Sequence, residues 1–124
     1  MTKNNKVLIA DDQDMNLFLL KMIFKDSDYI VDTVTNGEDA LSLAKDNDYC
    51  IYLLDLHMPD MKGIEIIKTL RKEKNNDNLP VIFITADLQE NELITECKNL
   101  NRAVVMNKPF KKEILFENIN QLKI

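Results

Sequence analysis

The stretch Ile51-Tyr52-Leu53-Leu54-Asp55-Leu56-His57-Met58-Pro59 decides the fold class, because an apolar run ends in it at an acidic residue. Four consecutive apolar residues, 51–54, are typical of a strand that is buried on both faces of a sheet. Similar runs occur at Val7-Leu8-Ile9-Ala10 and at Val81-Ile82-Phe83-Ile84. Strands of this kind predict a parallel sheet with helices on both faces.

Helix-patterned segments separate these runs along the chain. The predicted helices are Met15–Phe24, Glu38–Lys45, a segment around Ile64–Leu70, Leu88–Leu100 and Lys111–Leu122. Two more strands are predicted at Tyr29–Val34 and Ala103–Met106, the first at a sheet edge because Asp32 and Thr33 interrupt its apolar character. Five strands alternating with five helices predict an α/β fold with a doubly wound, five-stranded parallel sheet.

Length, charge and composition exclude several other classes. The 124 residues suit one domain, with 45% hydrophobic and 30% charged residues. The formal net charge of −5 disfavours non-specific binding to nucleic acid, whose phosphates require a basic surface. Cys50 and Cys97 cannot form a disulfide framework and suit a cytoplasmic protein. We find no export signal and no apolar run of membrane-spanning length.

Polar side chains follow the predicted strands at the points where the strands end. Asp11 and Asp12 follow the first strand, Asp55 the third, Thr85 the fourth, and Lys108 the fifth after a single asparagine. The carboxyl ends of parallel strands lie along one sheet edge, where ligands bind. We therefore expect three carboxylates, a hydroxyl and an ammonium group to converge.

This set of groups indicates phosphoryl chemistry with a hard cation. Clustered carboxylates repel one another, and Mg²⁺, which prefers oxygen ligands, compensates their charge. A carboxylate can attack phosphorus to give an acyl phosphate, and a metal with a lysine stabilises the transferred group. The sequence has no P-loop and no GxGxxG motif, so nothing indicates nucleotide binding.

Four motifs in order carry a family resemblance. They are Val7-Leu8-Ile9-Ala10-Asp11-Asp12, Leu53 to Gly63 (LLDLHMPDMKG), Val81-Ile82-Phe83-Ile84-Thr85-Ala86 and Asn107-Lys108-Pro109-Phe110. Over essentially the whole chain they resemble the chemotaxis-type receiver domain of two-component response regulators. The resemblance implies a flavodoxin-like strand order 2-1-3-4-5 and a single, stand-alone receiver domain over residues 1–124, which acts by contact with a partner.

The resemblance also implies the metal site and the phosphoryl acceptor. Asp55 is expected to accept the phosphoryl group. Mg²⁺ is expected to bind Asp12 directly, Asp11 largely through water, a carboxylate oxygen of Asp55 and the backbone carbonyl of His57. The imidazole of His57 need not be a ligand.

Three further groups are implied to act on the bound phosphoryl group. Lys108 is expected to pair with it, the hydroxyl of Thr85 to act as a switch, and the backbone N–H of Ala86 to donate a further hydrogen bond. A cis Lys108-Pro109 bond would place the lysine. The position three before this lysine commonly holds an aromatic residue in the family, but here it is Val105, so the usual coupling of threonine to an aromatic ring cannot operate.

The first predicted helix has more apolar residues than one buried face needs. If Leu19, Leu20, Ile23 and Phe24 face the sheet, the outward stripe consists of Met15, Phe18 and Met22. This stripe is either incidental exposure or a docking surface for a helical phosphodonor.

The sequence therefore predicts phosphorelay signalling, in which a sensor histidine kinase or a histidine phosphotransfer protein phosphorylates Asp55 and partner binding changes. We expect a monomer or weak dimer that acts on no external substrate, binds no nucleic acid and is not in a membrane. Two alternatives stay open. One is an interaction module that works without phosphorylation, and the other, less favoured, is a phosphohydrolase with an aspartate nucleophile.

Overall fold

The computed structural model describes residues 4–89, 91–108 and 111–123. The strands are β1 (Lys6–Ala10), β2 (Ile30–Val34), β3 (Ile51–Asp55), β4 (Val81–Thr85) and β5 (Ala103–Asn107). The helices are α1 (Asp14–Phe24), α2 (Gly37–Lys45), α3 (Gly63–Glu73), α4 (Glu92–Lys98) and α5 (Lys112–Lys123). Within these described residues, no helix has the length and apolar character needed to cross a bilayer.

The strands form one parallel sheet in the order β2-β1-β3-β4-β5, which confirms the predicted fold. β3 lies at the centre, where Leu53 is paired with Ile9 on one side and with Ile82 on the other. β2 lies at an edge, as its mixed polarity predicted. Asp55 therefore ends the central strand, between the ends of β1 and β4.

Side chains of each strand alternate between two apolar layers, because successive residues of a strand point to opposite faces. Leu8, Leu54 and Phe83 pack in one layer with residues of α2, α3 and α4. Ile9 and Leu53 pack in the other layer with residues of α1 and α5. All five side chains are fully buried, so the runs of four apolar residues reflect burial on both faces.

The fourth helix is shorter than predicted: it spans Glu92–Lys98 and not Leu88–Leu100. Asn91 is its N-cap, and the side-chain oxygen of Asn91 accepts a hydrogen bond of 2.9 Å from the backbone N–H of Ile94. Leu88 is exposed in the loop before the helix. The capping side chain sets the start of the helix, which the weak apolar pattern did not reveal.

The buried face of α1 also differs from the expected one. Leu17, Leu20 and Phe24 are its buried residues, whereas Leu19, predicted to face the sheet, is 48% exposed. The buried positions follow the spacing i, i+3, i+7 that places residues on one side of a helix. The prediction for Leu19 was wrong because the helix is rotated so that Leu17 points inwards.

Candidate functional site

Three carboxylates meet at the carboxyl edge of the sheet. Asp11 and Asp12 follow β1 directly, and Asp55 is the last residue of β3. One carboxylate oxygen of each lies within 4.8 Å of the others. Asp11 is fully buried and Asp55 is 5% exposed, while Asp12 is open to solvent. The parallel topology thus brings together residues that are more than 40 positions apart.

Lys108 joins two of these carboxylates. Its Nζ lies 2.9 Å from Oδ2 of Asp11 and 3.0 Å from Oδ2 of Asp55. The backbone N–H of Lys108 donates to the carbonyl oxygen of Thr85 at 2.8 Å, which holds the lysine beside the end of β4. The sequence predicted that Lys108 pairs with a phosphoryl group. It did not predict the ion pairs of Lys108 with two carboxylates of the protein itself.

Backbone N–H groups orient the other carboxylate oxygens. Gln13 donates to Oδ1 of Asp11 at 2.9 Å, and His57 donates to Oδ1 of Asp55 at 3.0 Å. Each donor lies two residues after its acceptor, the spacing of an Asx turn. This two-residue spacing is the only sequence signal that could have predicted these hydrogen bonds. The imidazole of His57 lies in an exposed position.

Burial and neighbouring charges both shift the pKa values of Asp55 and Lys108. Burial raises the pKa of Asp55, and the negative charge of Asp11 adds to this, while the N–H of His57 and the ammonium of Lys108 only partly offset it. Burial lowers the pKa of Lys108, but its bonds to Asp11 and Asp55 outweigh that effect and raise the pKa overall. The lysine is therefore charged at neutral pH.

One buried oxygen of the site can take a further positive partner. Oδ2 of Asp11 lies 2.9 Å from the ammonium of Lys108, which pairs its charge without ideal hydrogen-bond geometry. A carboxylate oxygen can accept more than one partner. The carboxylates of Asp11, Asp12 and Asp55 together form a donor set that suits a hard divalent cation.

Thr85 and Ala86 lie at the end of β4, as expected, but the hydroxyl of Thr85 has other partners. It donates to the carbonyl oxygen of Asp87 at 3.1 Å and accepts from the N–H of Asp87 at 3.2 Å. Thr85 is buried, with 2% of its surface exposed, and Ala86 is exposed. The hydroxyl thus closes the start of the loop that leads to α4.

The loop after Asp55 is held tightly against the sheet and against α2. A Cβ atom on Gly63 would lie 2.6 Å from the carbonyl oxygen of Asp55, so only glycine fits here without movement. The carboxylate of Asp60 accepts hydrogen bonds of 2.9 Å from the N–H groups of Gly37 and Glu38 at the start of α2. The sequence carried no signal for the Asp60 contact, because it joins loops 23 residues apart.

Two predictions concern residues near the end of β5. Val105 is partly buried and packs against the apolar layer that contains Leu8 and Phe83. The predicted cis bond before Pro109 and the motif residue Phe110 lie outside the described residues.

The predicted outward stripe of α1 is exposed. Met15 is 67% exposed, Phe18 58% and Met22 51%, and Leu19 adds to the same surface. Large apolar side chains at this level of exposure form a patch that borders the carboxyl edge of the sheet, since α1 begins three residues after Asp11.

The sequence of this chain matches a known protein family and a curated relative. The sequence model described as response regulator receiver domain matches residues 7–120. The transcriptional regulatory protein SrrA of Staphylococcus aureus is 38% identical over 87 residues, which are 70% of this chain and 35% of that protein. The aligned part is thus about a third of the length of the curated relative.

Solved structures share the fold over nearly the whole chain. The chemotaxis protein CheY4 of Vibrio cholerae superimposes with a TM-score of 0.86 at 26% identity, covering 97% of this chain and 99% of that one. The receiver domain of the sensor histidine kinase PA1611 from Pseudomonas aeruginosa PAO1 gives a TM-score of 0.84 at 22% identity and covers 98% of both chains. That structure is described with a magnesium ion coordinated in its active site cleft.

Proposed function

Because the chain belongs to the family of response regulator receiver domains, which serves two-component phosphorelay signalling, we propose that it accepts a phosphoryl group on Asp55. The observation that carries this proposal is the ammonium of Lys108 placed between two buried carboxylates beside a third, exposed one. This arrangement presents a nucleophilic oxygen and a cation in one place.

The two carboxylate oxygens of Asp55 have different partners before the transfer step. Oδ1 is held by the N–H of His57, and Oδ2 is held by Lys108. An oxygen of Asp55 attacks phosphorus, the bond from phosphorus to the donor nitrogen breaks, and the electron pair stays on the donor imidazole. Because the new acyl phosphate carries its negative charge on the phosphoryl oxygens, Lys108 then pairs with those oxygens.

Thr85 and Ala86 act after transfer. The hydroxyl of Thr85 exchanges its bonds with Asp87 for a phosphoryl oxygen, which frees the start of the loop before α4. The N–H of Ala86 donates to another phosphoryl oxygen. The switch is a shift between two arrangements of this loop, and it proceeds without an aromatic ring at Val105.

The residues of the site fit Mg²⁺. We assign its ligands to Asp11, Asp12, Asp55 and the backbone carbonyl of His57, and the carboxylate oxygens within 4.8 Å of one another support the three acidic ligands. When bound, the ion neutralises carboxylate charge and charge on the phosphoryl oxygens. Receiver domains bind Mg²⁺ at the corresponding acidic site, in agreement with this assignment.

The phosphodonor is a sensor histidine kinase or a histidine phosphotransfer protein. Receiver domains interact with such kinases and with downstream effectors. We assign the docking surface to Met15, Phe18 and Met22, which are exposed on the helix beside the site. Changing Phe18 and Met22 to serine should slow transfer from a phosphorylated histidine kinase domain and leave phosphorylation by acetyl phosphate unchanged. An equal effect on both reactions would contradict this assignment.

The site chemistry is tested by intact-mass measurement after incubation with acetyl phosphate and Mg²⁺. We expect an acid-labile adduct of one phosphoryl group on the wild-type protein. Asp55→Asn should give none, because the amide is not nucleophilic enough to attack phosphorus, while Asp60→Asn is a control in the same loop that should keep the adduct. A folded wild-type protein that binds Mg²⁺ but forms no adduct would overturn the proposal.

Receiver domains are signalling modules in general, and we propose that this one transfers and hydrolyses only its own phosphoryl group. A cytoplasmic location is part of the proposal, supported by the two free thiols of Cys50 and Cys97.

The second candidate is an interaction module that works without phosphorylation, which Val105 favours. It predicts the same partner affinity for the wild type and for Asp55→Asn, with and without acetyl phosphate.

A further inference from the structure

A cavity of about 240 Å³ lies between α1 and the end of β4, next to the carboxylate site. This is far more than the roughly 15 Å³ that one water molecule requires. Its lining combines residues of the carboxylate site with apolar residues of α1.

The lining of the cavity combines two kinds of chemistry. Asp11 and Lys108 form a buried ion pair and both belong to the site described above. Leu19, Leu20 and Ile23 are apolar and come from α1. Most of the exposed lining is apolar. Such a lining suits a small molecule with an anionic head and a short aliphatic tail.

We propose that the cavity receives the aliphatic chain of an acyl phosphate, so that small phosphodonors with a short fatty acyl group are used in preference to acetyl phosphate. The inference rests on the proposed function, because the phosphate must lie beside Lys108 for the chain to enter the cavity. Lys108 connects the acceptor to the cavity, because its Nζ lies 3.0 Å from Asp55 and the same residue lines the cavity. A phosphate held by Lys108 would therefore lie near both the nucleophile and the cavity.

The reaction balances without a further reactant. An oxygen of the Asp55 carboxylate forms a bond to phosphorus, and the bond from phosphorus to the acyl oxygen breaks. The electron pair leaves with that oxygen, so the products are the aspartyl phosphate and the free carboxylate of the fatty acid. No proton is needed, and the leaving carboxylate is stable at neutral pH.

The size of the preference follows from burial of the chain. Each methylene group that moves from water to an apolar site increases affinity roughly fourfold. Butyryl phosphate has two more methylene groups than acetyl phosphate. Because Leu19 is 48% exposed, the chain is not fully enclosed, and we expect about a tenfold faster reaction at equal, subsaturating concentrations.

The experiment compares the rates of adduct formation with acetyl phosphate and butyryl phosphate, measured by intact mass in the presence of Mg²⁺. The variant Leu19→Asn makes the chamber polar and should reduce the ratio of the two rates to between one and three. Ile114→Asn is the matched control, since Ile114 is 47% exposed on α5 and does not line the cavity, and it should keep the wild-type ratio.

The outcomes separate the two proposals. Equal rates for both donors on the wild type, or an unchanged ratio in Leu19→Asn, would overturn the acyl cavity and leave Asp55 as the acceptor. Failure of both donors to react would overturn the proposed function and the cavity together. If Leu19→Asn does not fold, the wild-type ratio and Leu19→Ser, which should lower that ratio in the same way, still decide the question.

Discussion

Replacing Lys108 by methionine removes the charge that holds two buried carboxylates together. Methionine has a similar length and an apolar tip, so the change deletes the ammonium with little change in volume. The ammonium lies 2.9 Å from Asp11 and 3.0 Å from Asp55, and the three side chains are 14%, 0% and 7% exposed. The variant leaves these two carboxylates close together without a cation.

The magnitude follows from distance and burial. At 3 Å and an effective dielectric constant of about 20, each ion pair is worth roughly 5 kcal/mol before the cost of removing the charges from water. That cost is several kcal/mol per buried ion, and deleting one partner of a buried pair typically costs about 3–5 kcal/mol. Because Asp12 is exposed and the site opens to solvent, we expect a loss of about 3 kcal/mol in the free energy of unfolding without Mg²⁺. For a domain of this size the loss lowers Tm by about 10 °C.

The assay is thermal and urea unfolding of the wild type and Lys108→Met, with EDTA and with 10 mM Mg²⁺. A divalent cation bound to the carboxylates takes over part of the role of the ammonium, so Mg²⁺ should stabilise the variant more than the wild type and at least halve the difference.

Lys74→Met is the control for this prediction. Lys74 lies 3.0 Å from Asp48, the same distance, but Asp48 is 87% exposed. Surface pairs contribute about 1 kcal/mol or less, so this variant should change little, with or without Mg²⁺. A loss in Lys108→Met no larger than in Lys74→Met, or one that Mg²⁺ does not reduce, would refute the argument from burial.

Two further predictions concern the loop after the central strand. Asp60→Ala removes the acceptor for the N–H groups of Gly37 and Glu38 and should cost about 1 kcal/mol at pH 7, measured by urea unfolding. Those two bonds lower the pKa of Asp60. Asp60 therefore stabilises the protein fully above the ordinary carboxyl pKa of about 4, and this stabilisation is lost as the pH falls through the lower pKa of the folded protein. A stability difference between Asp60→Ala and the wild type that stays constant down to pH 2 would contradict this. Gly63→Ala places a Cβ 2.6 Å from the carbonyl oxygen of Asp55 and should lower stability by about 1–3 kcal/mol and slow phosphorylation by acetyl phosphate, whereas a variant as stable and as fast as wild type would show that the loop adjusts freely.

Several features of the fold could be predicted because they depend on local chemistry. Runs of four apolar residues at Val7, Ile51 and Val81 indicate strands covered on both faces, and all twelve of those residues are buried. Parallel strands place their carboxyl ends along one edge, so Asp11 and Asp55 had to meet there. The start of α4 could not be predicted in this way, because the side chain of Asn91 and not the apolar pattern sets the first turn.

The sequence by itself determined the fold class, the strand ends and the residue types that meet at the sheet edge, since periodicity and strand polarity are encoded in consecutive residues. Only the tertiary structure decided which atoms contact one another. It placed Lys108 between Asp11 and Asp55, joined Asp60 to the start of α2, and rotated α1 so that Leu19 lines a cavity. These contacts join residues far apart in sequence, and their distances depend on how the helices pack against the sheet, which no local pattern specifies.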